Sequence, residues 1–361
     1  ITATYASTAV AASPVGSYPI TPTLVDPTAK LGNYTVTSTN GTLTVNPTPL
    51  TVVAANASRL YGDANPSFTG TITGIKNLDN ITATFASAAT LTSPVGTYAI
   101  VPALADPTAK LGNYSVTSTN GTLTINPAPL TVAGANASRL YGDASPAFTG
   151  TVTGIKNADN ITATFASTAT AASAVGTYPI VPTLLDPTAK LGNYNVSINN
   201  GTLTVNPAAL IAAANSLRRV YGNPNPTFAG VISGLRNGDL ITATYGTTAD
   251  VTSAVGAYAV SPFLSDLNGR LGNYSVTLKN GTLTIVAAPL TIVGKTFARI
   301  YGNVNPILSG TIIGIKNSDP ITASYSVSAD LTSSVGVYPI IPSAIDPAAK
   351  LSNYVLTLKN G

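Results

Sequence analysis

Apolar and polar residues alternate over short stretches of this chain, and Gly, Pro, Asn or Asp interrupts the alternation between them. A period of two is typical of half-buried β-strands, and interruptions at turn residues mark their ends. The pattern predicts strands over residues 130–132, 148–152, 161–165, 176–181, 194–198 and 202–205. Asn200-Gly201 separates the last two. This dipeptide predicts a type I′ hairpin there.

The whole pattern recurs at a fixed spacing of 80 residues. Tyr-Gly starts at Tyr61, Tyr141, Tyr221 and Tyr301. Val-Gly-x-Tyr and Asn-Gly recur at the same spacing, without an inserted or deleted residue between copies. Self-similarity at a constant period indicates a tandem array of small domains.

Prolines separate the alternating stretches at one point in most copies, as in Asn126-Pro127-Ala128-Pro129. Proline has no amide donor for a sheet, so we predict domain boundaries there. Residues 1–47 are then the C-terminal part of a repeat, and residues 288–361 are a repeat that lacks its last strand. Complete repeats are predicted at 48–127, 128–207 and 208–287. Because half a domain cannot bury its core, we expect the array to continue, or a neighbouring molecule to supply the missing strand.

Short strands with turns every 8–15 residues favour a small Ig-like β-sandwich. Short, semi-rigid proline linkers predict that such domains form an elongated rod. A β-grasp-like domain is the alternative, although no segment has the amphipathic helix which that fold requires. One helical turn is predicted within residues 106–113, with Asp106 as its cap.

Composition restricts the chemistry of the chain. It contains no Cys or His, and all 13 acidic residues are Asp. These absences remove the usual zinc ligands, thiol nucleophiles and Ser–His pairs. The net charge is +4 with only 8% charged residues and no basic cluster, which argues against nucleic-acid binding. No apolar stretch reaches the roughly 18 residues of a transmembrane helix. We therefore predict no enzyme, no catalytic or metal site and no cofactor.

A series of motifs resembles the MBG domain of the YGX type. It comprises Tyr-Gly-Asp-Ala-Asn-Pro, Gly-Ile-Lys-Asn-x-Asp, Ser-Pro-Val-Gly-Thr-Tyr, Gly-Asn-Tyr and Asn-Gly-Thr-Leu-Thr-Ile, at residues 61–66, 74–79, 93–98, 112–114 and 120–125. The resemblance implies long arrays in large bacterial secreted and surface proteins, and it brings no catalytic residues. Asn223 and Asn303 depart from the pattern where earlier copies have Asp63 and Asp143.

Three kinds of site are weighed against ordinary structural roles. The recurring Asp79 and Asp106 stand alone rather than in a calcium-binding cluster, which favours turns or caps. A Lys–Asn crosslink at Lys76 and its copies is disfavoured because Arg236 replaces the lysine in one repeat. The recurring tyrosines at 61, 98 and 114 could stack on sugars, but they fit core or corner positions better.

These observations predict a structural array, the stalk or filament of an adhesin or fibre at the bacterial cell surface. The alternative is an array of glycan- or mucin-binding modules. The partners expected are other copies of the chain, paired laterally or end to end through edge strands, and host or surface glycans.

Overall fold

A computed structural model describes all 361 residues of the chain. It contains β-strands and five 3₁₀ helices of three residues each, without an α-helix. The predicted all-β class of tandem small domains is thus confirmed. The structure contains no helix that is long and apolar enough to span a membrane.

The strands and 3₁₀ helices follow the 80-residue period. Residues 1–47 form β1 (Thr2–Ser7), β2 (Gly16–Val25), a 3₁₀ helix (Leu31–Asn33) and β3 (Gly41–Val45). Residues 48–127 form β4 (Thr48–Ala54), β5 (Ala57–Leu60), β6 (Gly70–Thr73), β7 (Thr82–Ala86), β8 (Gly96–Ala105), a 3₁₀ helix (Leu111–Asn113), β9 (Tyr114–Thr119) and β10 (Gly121–Asn126). Residues 128–207 form β11 (Ala128–Gly134), β12 (Ala137–Leu140), β13 (Gly150–Thr153), β14 (Thr162–Ala166), β15 (Gly176–Leu185), a 3₁₀ helix (Leu191–Asn193), β16 (Tyr194–Asn199) and β17 (Gly201–Asn206).

The same order continues to the end of the chain. Residues 208–287 form β18 (Ala208–Ala214), β19 (Leu217–Val220), β20 (Gly230–Ser233), β21 (Ile241–Gly246), β22 (Gly256–Asp266), a 3₁₀ helix (Leu271–Asn273), β23 (Tyr274–Lys279) and β24 (Gly281–Val286). Residues 288–361 form β25 (Ala288–Gly294), β26 (Gly310–Ile313), β27 (Thr322–Val327), β28 (Ile340–Ile345), a 3₁₀ helix (Leu351–Asn353) and β29 (Tyr354–Lys359).

Each complete repeat contributes strands to two kinds of sheet, as residues 48–127 illustrate. One sheet has three strands in the order β6-β4-β9, and the other has four in the order β5-β10-β8-β7. Two pairs are parallel, β4 with β9 and β5 with β10, while the remaining pairs are antiparallel. The ten-residue strand β8 pairs with β10 through its first half and with β7 through its second.

The hairpin predicted at Asn200-Gly201 is wrong. Strand β16 pairs with β11, whereas β17 pairs with β12, so the two strands belong to different sheets. Neither residue of the dipeptide has the positive φ that a type I′ turn requires. Glycine is needed here for another reason: a Cβ on Gly201 would lie 2.5 Å from the carbonyl oxygen of Ala135. The close approach of two backbone segments, rather than a turn, explains why glycine recurs at this position in successive repeats.

Only one residue separates the last strand of residues 48–127 from the first strand of the next repeat. Strand β10 ends at Asn126 and β11 begins at Ala128, so only Pro127 lies between them. The hydrophobic core is shared by the two repeats on either side of Pro127. Ile100 and Leu123 belong to the same buried cluster as Leu130 and Tyr194 of the next repeat. Two successive repeats therefore build one core together.

Contacts divide the chain into two compact units. The first contains Ile1–Ala135, Phe148–Ser167 and Pro179–Thr202, and the second contains Asn136–Ala147, Thr168–Tyr178 and Leu203–Gly361. In the first unit the largest core cluster surrounds Tyr61. In the second unit two clusters surround Tyr141 and Tyr221.

Candidate functional site: the junction between repeats

Polar side chains of two successive repeats meet at a partly buried cluster within the first unit. Tyr61 and Asp63 come from residues 48–127, and Lys156, Asp159 and Tyr194 come from the next repeat. These five residues are termed the junction cluster. In this cluster, side chains of both repeats are joined by hydrogen bonds.

A tight turn directs the carboxylate of Asp159 into the junction cluster. Asn157 and Ala158 occupy the left-handed region with φ of 53° and 56°, and the amide of Asp159 donates to the carbonyl of Lys156 at 2.9 Å. The turn also contacts the preceding repeat directly, because Asn157 Nδ2 donates to the carbonyl oxygen of Leu91 at 3.1 Å. The recurring Lys-Asn-x-Asp sequence therefore serves to place one carboxylate.

Two phenol groups, one from each repeat, donate to the same oxygen of Asp159. The Tyr61 hydroxyl lies 3.0 Å from Asp159 Oδ2, and the Tyr194 hydroxyl lies 2.7 Å from it. The two rings meet edge to face with their centroids 5.5 Å apart. The Tyr194 oxygen also accepts the backbone amide of Lys156 at 2.9 Å. Apolar ring packing and hydrogen bonding to a charged acceptor thus act together at this point.

The environment keeps these phenols protonated. Burial raises the pKa of Tyr194 to about 12, and its hydrogen bond to Asp159 acts in the same direction, since only the protonated phenol can donate. The pKa of Tyr61 is also raised, chiefly by burial. Tyr61 is only 1% exposed. The two donors to Asp159 therefore persist at all physiological pH values.

The second unit contains two further clusters of the same kind. At the first, Tyr141 and Tyr274 donate to Asp239 Oδ2 at 3.0 and 2.7 Å. At the second, Tyr221 and Tyr354 donate to Asp319 Oδ2 at 3.1 and 2.6 Å. Their ring centroids are also 5.5 Å apart. Asp239 and Asp319 are 9% and 8% exposed, so each carboxylate depends on these phenols for hydrogen bonds in a largely dry site.

A pair at the rim of each cluster varies between copies. In the first unit Lys156 Nζ lies 3.0 Å from Asp63 Oδ1. In the second unit Arg236 lies 3.5 Å from Asp143, whereas Lys316 meets the neutral Asn223 at 3.3 Å. Both ion pairs are partly exposed, and such pairs contribute at most about 1 kcal/mol.

An asparagine from the 3₁₀ helix of each later repeat makes a further contact across the junction. Asn193 Oδ1 accepts the amide of Val95 at 3.0 Å in the first unit, and Asn273 accepts that of Val175 at 2.9 Å in the second. The same contact recurs at Asn113 and Asn353. Asn193, Asn273 and Asn353 are buried, which explains why the Leu-x-Asn-Tyr sequence is repeated.

The structure gives the candidate calcium ligands other roles. Asp79 accepts the Tyr114 hydroxyl at 2.7 Å. The equivalent aspartates Asp159, Asp239 and Asp319 accept a tyrosine hydroxyl of their own repeat in the same way. Asp106 accepts the amide of Leu111 at 2.6 Å, and the helical turn predicted there is present as the 3₁₀ helix Leu111–Asn113. Its N-cap is Lys110, so the prediction of Asp106 as the cap residue is wrong. Hydrogen bonds from the backbone amides of Leu111 and Lys110 lower the pKa of Asp106. No His, Cys, Asp or Glu residues form a group of three that could hold a metal ion.

The other candidate residues also have structural contacts. The Tyr98 hydroxyl donates to the carbonyl of Pro94 at 2.8 Å, as a corner tyrosine does. Tyr61 and Tyr114 are 1% and 8% exposed, which leaves no face for stacking on a sugar. Lys316 and Asn223 do lie side by side, but their contact is exposed, whereas a Lys–Asn crosslink requires a buried lysine beside an acid.

Sequence reasoning missed a recurring buried arginine. Arg59 is 7% exposed, and its Nε donates to Asn65 Oδ1 at 2.7 Å while its Nη2 donates to the carbonyl of Thr90 at 2.5 Å. Asn65 Nδ2 donates in turn to the carbonyl of Ala89 at 2.7 Å. Arg219 and Asn225 repeat these contacts in the second unit. The recurrence of Arg at this strand position was the available signal.

The chain was compared with known proteins. None of the curated proteins matches it. A crystal structure of Drosophila N-cadherin EC1-4 is 9% identical, with 82% of this chain and 95% of that chain covered and a TM-score of 0.22. The protocadherin gammaB7 EC3-6 cis-dimer structure is 8% identical, with 83% and 96% covered and a TM-score of 0.29. The family model of the MBG domain (YGX type) matches residues 1–44, 50–124, 130–204, 210–284 and 290–361, and the chain therefore belongs to this domain family.

Proposed function

We propose that this array is a structural element without catalytic activity, the stalk or filament of an adhesin or fibre at the bacterial cell surface. Three facts support the proposal: five successive MBG matches, a constant 80-residue period, and the absence of Cys, His and Glu from the chain. Equal repeats serve to set a distance, whereas a catalytic site does not need to be reproduced in every copy.

The observation that carries the proposal is the junction cluster. In each of its three occurrences, one buried or half-buried aspartate accepts a phenol from its own repeat and a phenol from the repeat before it. In an array whose units contact only their neighbours, stability is a sum of unit and interface contributions. An interface that recurs between successive repeats is what a spacer under tension requires.

Single-molecule force spectroscopy on the full chain tests this role. We expect discrete unfolding events, each releasing about 80 residues, or on the order of 280 Å of chain at about 3.5 Å per residue. Removing one junction phenol should lower the unfolding force of the two repeats that meet there and leave the lengths of their events unchanged. A chain that extends smoothly at low force would overturn the proposal.

Location and partners are separate parts of the proposal. An antibody raised against the chain should label intact source cells without permeabilisation; labelling only after lysis would exclude a surface stalk.

Other copies of the chain are the proposed partners, through edge strands such as β7 and β9, whose outer sides have no neighbour in their sheets. Sedimentation of the purified chain at increasing concentration measures this association, and a monomer throughout would rule it out.

The alternative of a glycan-binding array has no structural observation in its favour, because in each complete repeat the recurring tyrosines are buried or hold corners. A glycan array probed with the full chain distinguishes the two functions. Reproducible binding that is lost in a folded Tyr98→Phe variant would favour the binding module over the stalk.

A further inference from the structure

The buried arginine site in residues 128–207, here called the third repeat because it follows 1–47 and 48–127, differs from the equivalent sites in other repeats. Residues 65, 225 and 305 are asparagine, and each donates through Nδ2 to a backbone carbonyl, at 2.7, 2.6 and 2.6 Å. In the third repeat Ser145 replaces this asparagine. A hydroxyl on a shorter side chain cannot span the same distance as a carboxamide.

The arginine itself keeps its position. Arg139 is 7% exposed, its Nη1 donates to the carbonyl of Leu140 at 3.1 Å, and its Nη2 donates to the carbonyl of Thr170. These are the contacts that Arg59 makes to Leu60 and Thr90. The guanidinium is therefore held in the same place, while the atom that asparagine would have bonded has lost its acceptor.

Two buried side-chain atoms in the chain lack a hydrogen-bond partner, and they are Arg139 Nε and Ser145 Oγ. Both belong to the position at which serine replaces asparagine. Burying an N–H of a charged guanidinium without an acceptor is unfavourable, and native proteins rarely do so. The coincidence of both atoms at one substituted site points to a bound group rather than to a tolerated defect.

We propose that one water molecule binds between Arg139 Nε and Ser145 Oγ and takes the place of the asparagine carboxamide. The group must accept from the guanidinium N–H, and it must also bond to a hydroxyl. Water satisfies both requirements, and a cation would be repelled by the guanidinium. A carboxamide exceeds a hydroxyl by two heavy atoms, which is space for about one water, whose share of liquid volume is about 30 Å³.

A crystal structure of the full chain tests the proposal directly, with two variants as matched partners. In the wild type we expect one ordered water within hydrogen-bond distance of both atoms. Ser145→Asn should displace it and form the Arg–Asn contact seen at Arg59. Asn225→Ser should create a second such water beside Arg219. No density at either serine, or an Arg139 side chain turned to another acceptor, would overturn the proposal. So would a chloride ion, identified by anomalous scattering.

Hydrogen exchange supplies a readout that does not depend on crystals. Ser145→Asn should slow exchange of the β12 and β17 amides by about two- to tenfold, because a direct hydrogen bond replaces one mediated by an immobilised water. Asn225→Ser should accelerate exchange in β19 and β24 by a similar factor. Unchanged exchange in both variants would show that these side chains do not bear on the packing, and would also count against the bound water.

Discussion

Tyr61 and Asp159 lie 98 positions apart in the chain, and their side chains meet at 3.0 Å between the phenol oxygen and Oδ2. The separation exceeds one repeat, so this hydrogen bond joins one repeat to the next. Together with a shared core and a one-residue connection between β10 and β11, it makes the folding of these adjacent repeats interdependent. In such an array a local substitution should affect the two repeats that meet there.

Tyr221→Phe should destabilise the junction at Asp319 by about 1–3 kcal/mol, because a buried carboxylate loses one of its two phenol donors while the ring packing remains. Hydrogen exchange of the β19, β24, β25 and β29 amides in the full chain measures the change. The matched control is Tyr301→Phe at the equivalent position. Tyr301 is 64% exposed, so this variant should change stability by less than about 0.5 kcal/mol. Equal effects of the two variants would contradict the role given to the phenol–aspartate contact.

High pH should loosen the junctions. The pKa of Tyr194 and of Tyr274 is raised to about 12 by burial and by hydrogen bonds to Asp159 and Asp239, against a value near 10 in the unfolded chain. Because the folded value is the higher one, this contribution to stability is fully present below pH 10 and is lost as pH rises through 12. Alkaline titration followed by tyrosinate absorbance and by β-sheet circular dichroism should show a late step common to both signals. Tyrosinate absorbance that is complete well below pH 12, with the sheets intact, would contradict this expectation.

Much of the fold could be predicted from the pattern of the sequence. Period-two alternation identifies most strands, and the helical turn expected within residues 106–113 is present, although its N-cap is Lys110 rather than Asp106. The Asn200-Gly201 hairpin failed because the signal for a tight turn is the same as the signal for a close backbone approach. Local sequence does not say whether a glycine is needed for its φ or for its missing Cβ.

The junction could not be predicted, although its residues were all noticed. Tyr61, Asp159 and Tyr194 recur in phase in every copy, so periodicity alone cannot say whether a tyrosine meets the aspartate of its own repeat or of the next. In the structure Asp159 accepts hydrogen bonds from Tyr61 of the preceding repeat and from Tyr194 of its own repeat. This pairing depends on how successive repeats are placed in space, which the sequence period does not give. The buried arginines were missed for a related reason: a charged residue on a strand usually faces water, and carbonyl groups from distant loops are invisible in the sequence.

Asn223→Asp should add an ion pair to the third occurrence of the cluster, where Lys316 now meets a neutral amide. We expect a gain of at most about 1 kcal/mol, lost at high salt, because the site is exposed and screened. The reciprocal variant, Asp143→Asn opposite Arg236, should lose a similar amount at low salt only. Thermal unfolding at low and high ionic strength measures both, and a gain that persists in high salt would show that charge is not its cause.

Leu78→Gly should stabilise the chain, although it removes a large apolar side chain. Leu78 is 98% exposed, so no packing is lost, and its φ of 56° lies in the left-handed region. That conformation costs a non-glycine residue roughly 1–2 kcal/mol, whereas the extra freedom of glycine in the unfolded chain costs about 0.5–1 kcal/mol. The equivalent turn in the second unit already has Gly238, with φ of 70°.

The net gain from Leu78→Gly should therefore be up to about 1.5 kcal/mol, measured by denaturant unfolding of the full chain. Leu78→Ala is the matched control, because alanine keeps the Cβ and with it the strain, and it should give no comparable gain. If alanine stabilised the chain as much as glycine, removal of an exposed apolar side chain would be the cause. The left-handed turn that places the neighbouring Asp79 would then be free of the strain assigned to it.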